Sequence, residues 1–264
     1  MAFPFDRVAV PFRMQPGLQR LPADARHLTP LAAASALWRE KKAVLDAGAS
    51  RRAVPGFDAQ PAIDAILAQA RSEGIAASEP IELAFEEDFA VLEAAGTTLP
   101  WLCVCVPSHW APEEKLGLPF AAVHAPVADN QALQAAGAQL VRLVTGGDRF
   151  ERSVWTVTPS GRHDQHPRRH ARTPWPVTGD AEAFAGQCFL RWERQTFFPV
   201  PGVPGQAVFT IRVALQPLHV AVSSRAEAQR LRDALASMSD AVLAYKGLAP
   251  ARDRLLAWLG ARSA

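Results

Sequence analysis

The chain has 264 residues and 28.5 kDa, enough for one large domain or two small ones, with ample material for a core. A formal net charge of +2, with basic and acidic residues interspersed, gives neither the cationic field nor the aromatic-interleaved basic run that nucleic acid or an anionic membrane would call for. Three cysteines, Cys103, Cys105 and Cys188, are an odd number in apolar runs, so they offer no disulfide framework, and without a CxxC pattern they read as small core residues. Cys103 and Cys105, two apart, are expected on one face of a strand. No stretch reaches 18 apolar residues, and the first residues lack a signal peptide's basic start and apolar core, so a cytoplasmic protein is expected.

Residues 1–30 are rich in Pro and Arg and read as extended or turn. Helical spacing begins near Pro30 with Leu37, Trp38, Val44 and Leu45. A second helix is predicted where Ile63, Ile66, Leu67 and Ala70 fall at i, i+3, i+4 and i+7, with residues 53–56 breaking the two. From Pro80 the pattern changes to short strands: Ile81 to Phe85, Phe89 to Leu92, and Pro100 to Val106. An ordered connection covers residues 107–124, and a helix follows from Asn130 to Val144. A strand from Arg152 to Thr158 precedes a polar loop over 159–176. The chain closes with an amphipathic stretch in which Leu231, Leu235, Met238, Val242 and Tyr245 line one stripe, predicting a long helix. The division expected is 1–79 as a helical N-terminal cover, 80–222 as the core and 223–264 as a C-terminal helical segment, most simply one integrated domain.

The richest stretch is Phe189-Leu-Arg-Trp-Glu-Arg-Gln-Thr196, followed after a Pro/Gly loop by Val208-Phe-Thr-Ile-Arg212. This reads as a buried hairpin carrying Arg191, Glu193, Arg194 and Arg212. Strand alternation sets Phe189, Arg191, Glu193 and Gln195 on one side and Leu190, Trp192 and Arg194 on the other. Buried charges need compensation from each other, from water or from an anionic ligand. A loop from about Pro199 to Gln206 places Glu193 opposite Arg212; a two-residue slip sets Arg191 against Arg212. Both registers, and a solvated salt-bridge ladder, stay open at this level.

Two histidine contexts stand out. His163, His166 and His170 are the densest group, but Pro167 interrupts a helical His166/His170 pair and Arg168 and Arg169 oppose a metal cation, so a solvated loop or a lid is expected there. His124 lies in the apolar Phe120-Ala-Ala-Val-His-Ala-Pro-Val127, where a neutral imidazole in an apolar wall suits either a satisfied core residue or an axial ligand to heme iron. There is no nucleophile elbow, P-loop or dinucleotide-binding glycine fingerprint.

The ordered blocks Pro11-Phe-Arg-Met-Gln-Pro-Gly-Leu18, Val106-Pro-Ser-His-Trp-Ala-Pro-Glu-Glu-Lys-Leu-Gly117, Val123-His-Ala-Pro-Val127, Arg152-x-x-Trp155, Leu190-Arg-Trp-Glu-Arg-Gln-Thr196 and Phe209-Thr-Ile-Arg212 resemble the heme-dependent oxidative N-demethylase family over about residues 11–218. The resemblance implies an α/β (α+β) fold with a PAS-like antiparallel sheet holding heme b. It implies oxidation of a small amine by dioxygen, with electrons from NADPH through a flavin and iron–sulfur reductase partner. Carried onto this chain, it makes His124 the iron ligand, Lys115, Arg152, Arg191 and Arg212 candidates for the heme propionates, and Glu193 the catalytic carboxylate near the distal face. The chain departs from the family pattern at Val154, at Phe197 to Pro201 and at Val213-Ala214, which implies a less polar pocket rim and an altered substrate. A heme-based PAS sensor and a heme-free small-anion binder are the alternatives.

Overall fold

The computed structural model describes residues 3–22 and 24–263. Its centre is one open antiparallel sheet of seven strands in the order β1-β5-β6-β7-β3-β4-β2: β1 Gln19–Arg20, β2 Arg51–Ala53, β3 Glu87–Glu93, β4 Thr98–Cys103, β5 Phe150–Thr158, β6 Phe189–Pro199 and β7 Gln206–Pro217. Ten helices accompany it. They are α1 Ala36–Asp46, α2 Gln60–Ser72, α3 Ile81–Ala84, α4 Phe120–His124, α5 Gln131–Val144, α6 Ala181–Ala185, α7 Leu218–Ala221, α8 Arg225–Ala236, α9 Asp240–Lys246 and α10 Arg252–Ser263. Residues 1–79 thus supply two edge strands as well as α1 and α2.

Period-2 alternation sorts the sheet into two faces. One face carries Phe89, Val91, Trp101, Phe198 and Val208 against α2, and Trp155, Val157, Leu190 and Trp192 against α6, α8 and α10. On the other face, Ile211 and Val213 meet Leu37 and Val44 of α1, while Phe150 and Phe197 meet Val141 and Val144 of α5. The i, i+3, i+4, i+7 pattern expected for α2 holds, with Ile63, Ile66 and Ala70 buried.

Four expectations are corrected. Ile81–Ala84 is a helical turn that follows Pro80, not a strand: four residues are too few for periodicity to decide. Cys103 ends β4 and packs under α2, whereas Cys105 packs with α1 on the opposite face, because regular alternation stops with the strand. All three thiols are free and buried. The closing helix is three helices, interrupted after Ala236, where Ser239 caps α9 by accepting from Val242 N, and again at the left-handed Gly247. Leu231, Leu235, Met238 and Val242 are buried as expected, but Tyr245 is 46% exposed. Finally, the hairpin register pairs Arg194 with Arg212 and Glu193 with Val213, one residue from the first register considered and matching neither.

Candidate functional site

The register decides which charges stand together. Arg152, Arg191, Glu193 and Gln195 share the face covered by α1, α4 and α5; Arg194 and Arg212 share the other. There Arg212 pairs with Glu86 at 2.6 Å and Arg194 with Glu151 at 2.9 Å. The cations expected together at the propionates are therefore split, and Arg212 lies across the sheet from Arg191 and Glu193.

Arg191 is 1% exposed and answers the question of what compensates a buried guanidinium. Its Nη atoms donate to the carbonyls of His163 (2.9 Å), Arg162 (3.3 Å) and Val106 (3.3 Å), and its Nε to Ser108 Oγ at 2.8 Å. Three backbone oxygens and one hydroxyl take up four of its five N–H donors, and burial lowers its pKa to about 10. Arg191 thereby ties the 106–108 turn to the polar loop. That loop is itself pinned: Asp164 accepts from Arg169 (2.8 Å), His170 (3.0 Å) and His166 N (3.0 Å), and His166 Nε2 lies 3.1 Å from Glu113. Asp164, Gln165 and His166 are buried, so this is not the solvated loop expected, and no group of three His, Cys, Asp or Glu able to hold a metal occurs among the described residues.

Glu193 is half-buried between Val154 and Val213, its cross-strand neighbours on β5 and β7. Ser108 Oγ donates a short hydrogen bond to its Oε1, and Gln195 Nε2 donates to Oε2 at 2.6 Å. Each carboxylate oxygen keeps a further lone-pair direction.

Arg152, cross-strand partner of Gln195, is the unsatisfied member. Part of the residue reaches solvent, but Nε is sealed and has no hydrogen-bond partner among the described residues. Burial lowers its pKa, opposed by the Glu193 carboxylate and Tyr245. Lys246, at the end of α9, donates to the Trp155 carbonyl at 2.7 Å and lies over the rings of Phe12 (5.3 Å) and Trp155 (5.8 Å). Enclosure brings its pKa down to about 8 despite the pull of Glu193. β1 pairs only with Phe150 and Glu151, so the outer edge of β5 beyond them is where α9 brings Tyr245 and Lys246 to this group.

His124 ends α4, a five-residue helix held by side chains at its C-terminus. Lys115 Nζ donates to Val123 O (3.0 Å), Asn130 Nδ2 to His124 O (3.0 Å) and Gln134 Nε2 to Ala121 O (2.9 Å), satisfying carbonyls the helix leaves open. Phe120 seats its ring where a side chain on Gly137 of α5 would stand, 2.8 Å from a Cβ there, and stacks on the His124 imidazole at 4.0 Å. His124 Nδ1 lies 2.8 Å from Phe120 O; a carbonyl can only accept, so Nδ1 carries the proton and Nε2 keeps its lone pair. Burial lowers the pKa to about 4; the bond to Phe120 opposes this and the Arg152 and Lys115 cations add to it. The imidazole is thus neutral, oriented and within the field of Arg152, the state a metal ligand needs.

Arg152 therefore stands within electrostatic reach of two of the other predicted residues, His124, which also feels Lys115, and Glu193. Ser108 and Lys246 belong with them and carry no periodic signal in the sequence, although Ser108 falls in the Val106 to Gly117 block. The surface clefts beside Arg51 and Glu82, and beside Glu40 and Arg162, lie elsewhere. In the first of these the charges already pair with each other.

A family model described as haem-dependent oxidative N-demethylase, alpha subunit-like, matches residues 67–256, well over half of the chain and inclusive of all these predicted residues. No curated protein matches the chain.

Proposed function

Because the chain belongs to the haem-dependent oxidative N-demethylase, alpha subunit-like family, we propose that it is a heme-dependent oxidoreductase that demethylates a small amine with dioxygen. NADPH is the electron source, through a flavin and iron–sulfur reductase partner. No helix among the described residues is long and apolar enough to cross a membrane. The observation that carries the reading is the sealed Nε of Arg152, without a partner among the described residues, beside a neutral His124 whose Nε2 likewise has none among them. A buried cation lacking an acceptor fits a cofactor that brings carboxylates, and an imidazole fixed through Nδ1 fits an iron ligand.

In this reading His124 Nε2 holds the iron, and Arg152, with Lys115 near it, receives the propionates. Arg191 and Arg212 do not serve there, the first because its donors are engaged, the second because it faces the other side of the sheet. Heme, when bound, supplies activation of dioxygen and removal of electrons from the N-methyl carbon. Glu193 binds the ammonium form of the amine and accepts its N–H proton. Val154 and Val213 flank that carboxylate with apolar surface, which favours alkyl groups on the nitrogen over further hydrogen-bonding groups.

Hemin titration of the purified chain tests the reading. One equivalent should give a Soret band with histidine ligation, which His124→Ala abolishes, and the loaded protein with reductase and NADPH should release formaldehyde from small N-methylamines. A chain that takes up no hemin, or a His124→Ala spectrum identical to the parent's, would overturn the assignment.

A further inference from the structure

Arg191 and Glu193 stand two residues apart on one face of β6, a spacing at which long side chains of opposite charge can meet. They do not pair; Ser108 stands between them. Its Oγ accepts from Arg191 Nε at 2.8 Å and donates its single proton to Glu193 Oε1. The hydroxyl's single proton is donated and a lone pair accepts, so both roles are in use and its rotor is fixed. Arg191 in turn is held by the carbonyls of Val106, Arg162 and His163, so it cannot swing toward the carboxylate. Gln195 completes the arrangement from the other side, 2.6 Å from Oε2.

We infer that Ser108 is the positioning residue for Glu193, carrying the polarisation of the buried Arg191 to the carboxylate while keeping the two charges apart, so that Glu193 remains available to a small alkylammonium. This rests on the reading of Glu193 as the substrate-binding carboxylate. A direct Arg191–Glu193 ion pair would use the carboxylate internally and rotate it off the site. An interposed hydroxyl, polarised by the guanidinium, is a stronger donor than an isolated serine and leaves the negative charge unneutralised. Valines on both flanks supply no substitute donor, so orientation depends on Ser108 and Gln195.

The test compares the full chain, loaded with hemin, with Ser108→Ala and Ser108→Thr. Calorimetric titration with dimethylammonium chloride should show about tenfold weaker binding for Ser108→Ala, equivalent to about 1.4 kcal/mol, and binding within about twofold of the parent for Ser108→Thr, which keeps the hydroxyl. The infrared carboxylate band of Glu193, assigned by its disappearance in Glu193→Gln, should shift in Ser108→Ala and return in Ser108→Thr. Hemin uptake should be equal in all three. A folded Ser108→Ala protein with parental amine affinity, an unmoved Glu193 band, or no amine uptake by the unsubstituted chain would overturn the inference. If the band and affinity respond as stated but no formaldehyde forms, the oxidative reading falls and the positioning role stands.

Discussion

Replacing Arg152 by methionine should have opposite effects on the free and the heme-loaded protein. The sealed Nε of Arg152 lacks an acceptor, and a buried unsatisfied donor costs about 1–3 kcal/mol. Glu193 offsets part of this and part of the residue reaches solvent, so the lower end applies, about 1 kcal/mol. Methionine fills similar volume without that cost, and the hemin-free variant should melt about 2–4 °C higher than the parent. With hemin the sign reverses. Loss of a charge-assisted hydrogen bond to a propionate costs about 1.5–3 kcal/mol, roughly a ten- to hundredfold weaker affinity. Calorimetric melting without hemin, followed by Soret titration of parent and variant, measures both halves. A variant that melts lower without hemin, yet binds hemin as the parent does, would refute the reasoning, for it would show that Arg152 is an ordinary structural cation.

Other expectations follow from the same physics. Glu87 is 1% exposed, and burial raises its pKa to about 7, above the usual carboxylate value. Its protonated form is favoured in the folded state, so the associated stability is present below about pH 4.5 and is lost as pH rises toward 7. Glu87→Gln should therefore stabilise the protein at pH 8 by about 3 kcal/mol and little at pH 4, read from denaturant midpoints. Lys41 is fully buried, 3.2 Å from Asp88 and donating to the carbonyls of Phe85 and Glu87; Lys41→Ala should cost about 3–5 kcal/mol in the same assay by leaving Asp88 unpaired. Gly247 has φ +68°, a left-handed conformation that strains a residue with a Cβ, so Gly247→Ala should lower stability by about 1–2 kcal/mol, visible as a reduced melting temperature.

What the sequence made legible was set by length and period. The helix at Ile63, Ile66 and Ala70 could be read because its apolar residues recur over more than two turns, and the β6–β7 hairpin because its alternation runs for about ten residues. Ile81–Ala84 is shorter than either repeat, and the break after Ala236 depends on a serine cap rather than on the apolar stripe that crosses it. His124 stood out by its apolar context and Glu193 by its charge in the hairpin, whereas Arg152, which lies within the field of both, came from motif resemblance alone. The role of Arg191 could not be read, because its partners are mostly main-chain carbonyls from two distant loops, and a carbonyl is the same at every residue. Ser108 shares that difficulty: a small hydroxyl in a turn acquires meaning only through what the fold places on either side of it.

The link from Pro199 to Gln206 acts as a parity switch for the whole protein. Six residues, Val200 to Gly205, separate the two longest strands, and that count determines that Val213 and Ile211, rather than Arg212, look toward the α1 layer. Adding or deleting one residue in this bend would exchange the two facings of β7 against a fixed β6, exporting aliphatic surface and importing a guanidinium. The bend therefore tolerates a change of composition more readily than a change of count, because a single added or removed residue would oblige every side chain packed on both faces of β7 to find a new neighbour.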